Sequence, residues 1–260
     1  MTRPSQQASP ASEPVPKTER PSRIGNFRFS AAQFLAALIL MLVTAPFVED
    51  LKNGEAIDGA LMTLVLVSGV LAVGRNRRTL VLGVVLLLPV VVARWGGQFR
   101  PDLLPSEVHN IFALVFITFV EFQLLHFIFR ARRVDSEVLC AGISGYLLLG
   151  VLWTSAYMLV SRLNPADATH AGAFSFNIGP QSPHPLPLFD AYYFSFITLS
   201  TVGYGDITPL SHAARTLAMT EAMTGTLYMA VLISRLVALY SSQTQSADAG
   251  IQTEVSRPNP

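Results

Sequence analysis

Leu188 to Pro209 read LFDAYYFSFITLSTVGYGDITP, and this stretch decides the fold. Its first half is aromatic and apolar. Its second half carries Gly203, Gly205 and Pro209, residues that do not belong inside a helix. A helix over Asp190–Leu199 covers about 15 Å at 1.5 Å per residue. The residues Thr201 to Gly205, extended at ~3.3 Å each, return roughly as far. Neither half is long enough to cross a bilayer, which takes about 20 apolar residues. The pattern predicts a segment that dips into a membrane and comes back out. Non-helical backbone at that depth is tolerated only where it is buried in protein or lines a wet cavity.

The rest of the chain supplies the membrane. Of 260 residues, 51% are apolar and 13% charged, against about 25% charged in a soluble domain. A net charge of +1 gives no basic surplus for nucleic acid. The lone cysteine, Cys140, has no intrachain disulfide partner and reads as small apolar packing. No nucleophile–base set, metal-ligand cluster or phosphate-cradling loop points to an enzyme, and no cofactor is called for.

Six segments approach spanning length: Ala31–Val48, about Ile57–Gly74, about Thr79–Trp95, His109–Phe129, Val138–Ser161 and His212–Tyr240. Charge tests the count. With the N-terminus inside, 13 of the 18 Lys and Arg fall on inside segments, including Arg75, Arg77, Arg78, Arg130, Arg132 and Arg133. Five fall outside: Lys52, Arg94, Arg100, Arg162 and Arg215. This is the asymmetry of six spans with both termini cytoplasmic. The expected fold is an all-α membrane protein with six transmembrane helices and a re-entrant helix that returns as an extended strand. The expected divisions are a disordered tail over 1–28, a four-helix domain over 29–135, a domain over 136–240 that holds the re-entrant segment and a short cytoplasmic tail over 241–260.

The run TLSTVGYGD, between two spans and behind an aromatic helix, resembles the signature of the potassium-channel pore-loop family. The likeness covers about Val138 to Tyr240 and extends to Pro209 after Asp206 and to Arg215 at the start of the last span. It implies a homotetramer, each copy donating one filter strand. The expected location is the plasma membrane, since the Ala-rich, Arg-over-Lys composition hints at a bacterial source. Backbone carbonyls then replace the water shell of a permeant K+ ion. By resemblance Thr201, Val202, Gly203, Tyr204 and Gly205 form the ion-coordinating filter, with Val202 and Tyr204 side chains turned away from the ions. Asp206, Tyr192, Tyr193, Thr198 and Ser200 are the expected filter supports. Tyr192-Tyr193 stand where an aromatic Trp pair often sits. Ile197 stands where some relatives have Glu, which leaves Asp206 without that partner.

The last span carries the candidate cavity and gate. Thr226, Met229 and Ile233 share one face at helical spacing. Gly225 is either a hinge or a close-packing site. Glu221 is an acid inside a span, a functional candidate by default. It lies beside the cavity face, so it is expected to brace the filter by meeting a hydroxyl such as Thr198 or Ser200. In the fourth span the arginines Arg130, Arg132 and Arg133 all sit at the cytoplasmic end. A voltage sensor needs charges within the field, so voltage dependence is expected to be weak or absent. Glu121 and His126 are five residues apart, not stacked on one face. His170 and His184 lie in a Pro-rich outer loop. Potassium conduction leads over two alternatives: a weakly selective cation pore of the same fold, and a non-conducting membrane scaffold.

Overall fold

The computed structural model describes residues 31–48, 51, 54–74, 77–99, 106–131, 135–164, 172–177 and 186–255. The expected N-terminal tail, His170, His184, Arg132 and Arg133 lie outside the described residues.

Apolar sequence becomes helix here because a helix satisfies its own backbone where no water can. The helices are α1 (Ala31–Val48), α2 (Gly54–Val73), α3 (Arg77–Phe99), α4 (Ser106–Arg130), α5 (Ser136–Leu163), α6 (Leu188–Leu199) and α7 (His212–Val255). Five are long and apolar enough to span a membrane: α1, α3, α4, α5 and α7. The apolar stretch of α2, Ala56–Ala72, is shorter. Its Asp58 forms a 2.6 Å ion pair with Arg94 of α3, so two charges of opposite sign are neutralised between neighbouring helices. The protein is an all-α membrane protein.

The first four helices share one core with α5. Phe34 and Leu38 of α1, Val65 of α2, Val90 of α3 and Phe116 and Ile117 of α4 are almost fully buried, and the cluster continues into Ala141 and Leu148 of α5. The short connection between α4 and α5 makes them neighbours, as short helix–helix links do. Asp135 caps α5, accepting from the Val138 amide at 3.0 Å.

The two strands are β1 (Phe174–Phe176) and β2 (Ile207–Pro209). They pair antiparallel, with Phe174 opposite Pro209 and Phe176 opposite Ile207. A second core lies beneath them, where Tyr157, Phe174 and Phe194 meet edge to face, their centroids 4.9 to 5.7 Å apart. The segment between α5 and α6 is thus tied to the chain leaving the filter, a link that the sequence pattern did not signal.

Candidate functional site

The 12-residue helix α6 is held in a cleft between α5 and α7. Two glycines let it in. A Cβ on Gly150 of α5 would lie 2.5 Å from the Phe196 ring, and one on Gly225 of α7 would overlap the Leu199 carbonyl oxygen. Real Cβ atoms do not come that close, so the end of α6 sits directly on the backbone of α7. Gly225 is therefore a site of close approach.

Glu221, fully buried, ties the three helices together. Tyr157 of α5 donates its hydroxyl to Glu221 Oε2. Ser195 of α6 lies 2.6 Å from Glu221 Oε1 and 2.8 Å from the Gly150 carbonyl. The hydroxyls expected to meet Glu221 were different ones. Ser200 instead donates back to the Phe196 carbonyl of its own helix at 2.7 Å. Thr198 offers its carbonyl to the Thr201 amide at 2.9 Å. The reason is helical phase: Ser195 and Ser200 are five residues apart and face different directions.

Thr201 to Gly205, the residues expected to form a filter, leave α6 in a tight turn. Val202 and Gly203 both donate their amides to the Ile197 carbonyl, at 2.8 and 3.2 Å. Thr201, Gly203 and Gly205 have φ of 60°, 54° and 80°. Positive φ thus recurs at every second residue. In an extended strand successive carbonyls point to opposite sides, and reversing the sign of φ at alternate residues brings them toward one side. Among the described residues nothing lies within 4 Å of a Cβ built on Gly203 or Gly205. Their positive φ is reason enough for glycine there. The side chains of Val202 and Tyr204 are exposed in the single chain.

The far end of this segment is clasped from two sides. Tyr193 donates to Asp206 Oδ2 at 2.6 Å and the Ile207 amide to Oδ1 at 3.0 Å. The Tyr193 hydroxyl, and then the Ile207 amide, hold the Asp206 carboxyl below its ordinary range against some desolvation. Asn177, after β1, donates its side-chain amide to the Gly205 carbonyl at 2.6 Å and its backbone amide to the Asp206 carbonyl at 2.7 Å. Asn177 had no spacing or motif to mark it. Tyr192 is not a filter support. It is buried in the four-helix core, its hydroxyl 4.0 Å from Met41 Sδ. Adjacent helical residues point about 100° apart, so only one of the two tyrosines can face the filter.

Residues 146–242, which contain this assembly, match the family described as "Ion channel". Over 58 residues the chain is 40% identical to "Two-pore potassium channel 4" of Arabidopsis thaliana, covering 22% of this chain and 20% of that protein. The likeness is thus to ion channels, potassium channels among them. The chain also matches "Two pore potassium channel c" of Oryza sativa subsp. japonica, 38% identical over 66 residues, or 25% of this chain and 14% of that protein. A third relative is "Inward rectifier potassium channel Kirbac3.1" of Paramagnetospirillum magnetotacticum, 36% identical over 64 residues, 25% of this chain and 22% of that one. The chain spans about a fifth or less of the length of these relatives. No solved structure matches it.

Beyond the pore loop, Thr226, Met229 and Ile233 lie together on an exposed stripe of α7. Thr226 donates to its own helix at Ala222. Glu121 of α4 is buried far from the filter residues in sequence, beside Gly145 of α5.

Proposed function

We propose that the chain is one subunit of a potassium-selective channel in which four copies surround an axis and each contributes Thr201 to Gly205. The observation that carries this reading is the alternation of positive φ at Thr201, Gly203 and Gly205. A row of carbonyls turned to one side can coordinate a dehydrated cation only if further copies complete the shell. The exposed Val202 and Tyr204 side chains leave surface for a neighbouring copy, and the exposed stripe of Thr226, Met229 and Ile233 leaves a lining for the cavity below. Glu221 braces the filter from behind. The likeness to potassium channels across the pore loop supports K+ as the permeant ion.

The chain lies in the cell membrane with both termini cytoplasmic, and α2 completes six spans. The stretch of α4 from Ser106 to Phe129 contains no arginine or lysine, which supports gating without strong voltage dependence. The test uses purified full-length protein in liposomes. Barium-sensitive K+ flux with little Na+ flux is the expected result. Equal K+ and Na+ flux would replace this reading with a weakly selective pore. No flux at any pH or voltage, together with a Gly203→Ala variant indistinguishable from the parent in assembly and stability, would leave a membrane scaffold.

A further inference from the structure

The middle of α7 stands away from α4 across a cavity of about 270 Å³. Leu125, Ile128 and Phe129 of α4 line one side, and Leu227, Val231 and Arg235 of α7 line the other. The wall is almost wholly apolar and contains no acid. One end is different. Arg235 donates through Nη2 to the carbonyls of Phe129 and Ala131, at 2.9 and 2.8 Å, so it sits on the C-terminal end of α4. Its Nε is buried and has no hydrogen-bond partner among the described residues. Arg130, exposed, lies between the two residues whose carbonyls Arg235 holds. The apolar span of α4 ends at this level, at Arg130, and that of α7 runs on to Ser241.

An apolar slot within the bilayer, closed at one end by the Arg235 guanidinium, matches an anionic amphiphile. We infer that this cavity binds an anionic phospholipid of the surrounding bilayer, with one acyl chain between α4 and α7 and the head group on Arg235. The chain gains apolar contact along Leu125, Ile128, Leu227 and Val231. The phosphate gains charge-assisted hydrogen bonds from arginine, the side chain best shaped for them. Because Arg235 also holds the end of α4, the head group competes with the Phe129 and Ala131 carbonyls for the same donors. Lipid occupancy therefore loosens the hold of α4 on the inner helix. The assignment concerns the rear of α7 and does not depend on what the filter conducts.

Photolabelling tests it. Full-length protein is reconstituted in phosphatidylcholine vesicles containing a trace of phosphatidylglycerol or of phosphatidylcholine with a diazirine in the acyl chain, and labelled peptides are mapped. The phosphatidylglycerol probe is expected to label 125–129 and 227–235 several-fold more than the phosphatidylcholine probe. Val231→Trp, which fills the slot at an exposed position, should abolish this labelling while labelling of α1 and α3 is unchanged. Arg235→Gln should equalise the two probes, and Arg235→Lys should keep part of the preference. Equal labelling of the parent by both probes would overturn the assignment. So would unchanged labelling in Val231→Trp, or crosslinks at these residues to a second copy of the chain without lipid. The readout needs no ion flux, so its failure is separate from any failure of conduction.

Discussion

Glu221 in the pore region and Glu121 in the four-helix region are both buried acids on apolar helices, at 0% and 6% exposure, and their surroundings differ completely. Glu221 receives the hydroxyl of Tyr157 and lies 2.6 Å from that of Ser195, so three helices converge on it. Neither carboxyl oxygen of Glu121 has a hydrogen-bond partner among the described residues. A buried polar group without a partner costs stability, and one that organises its neighbours returns it. The pore region is thus cemented by polar contacts at its centre, and the four-helix region is held by apolar packing around an acid it leaves bare.

This contrast can be broken by substitution. The largest effect belongs to Glu221→Ala. It removes the acceptor of Tyr157 and costs about 3 kcal/mol, read as a lower thermal midpoint in detergent and loss of K+ flux. An unchanged midpoint would break the comparison. Next is Gly225→Ala, where the new Cβ meets the Leu199 backbone carbonyl and overpacking costs about 2 kcal/mol. Its counterpart at the rear of the pore region, Gly145→Ala, meets the far end of the Tyr228 side chain. That hydroxyl can swing away from the Gly142 carbonyl it now serves, so the loss should be smaller. Thermal midpoints of the pair decide the order, and an equal or reversed order would contradict it.

Tyr193→Phe sharpens the picture at the outer mouth. The Asp206 carboxyl is held below its ordinary range chiefly by the Tyr193 hydroxyl. Stability from a depressed carboxyl is present above its unfolded value and is lost as pH falls through the lowered folded value. Without that hydroxyl the loss should begin at higher external pH. A pH titration of K+ flux checks this, and an acid midpoint that does not rise in the variant would refute it. The smallest effect is expected at Glu121→Leu, which removes an unpartnered polar group and should leave the thermal midpoint equal or slightly raised. A loss as large as that of Glu221→Ala would reveal a partner for Glu121.

Much of this was legible in the sequence because apolar length and charge fix helices in a membrane. The expected first span, Ala31–Val48, coincides with α1. The expected pore helix, Asp190–Leu199, differs from α6 only by its first turn. The backbone turn through Gly203 and Gly205 was legible because glycines answer to backbone conformation, which is local. What escaped depends on the rotation of one helix against another. Ser195 in place of Thr198 or Ser200, and Tyr192 turned to Met41, follow from the phase of α6 in its cleft, which no local pattern sets. Asn177 and the β1–β2 pairing join residues about 30 positions apart across a Pro-rich loop. No periodicity marks such a contact.

The most direct test is the reversal potential of the purified protein in a planar bilayer with K+ on one side and Na+ on the other. Carbonyls fitted to a dehydrated K+ ion predict a reversal potential displaced strongly in the direction of K+ selectivity. A potential near zero, with current flowing equally well for both ions, would contradict the filter assigned to Thr201–Gly205.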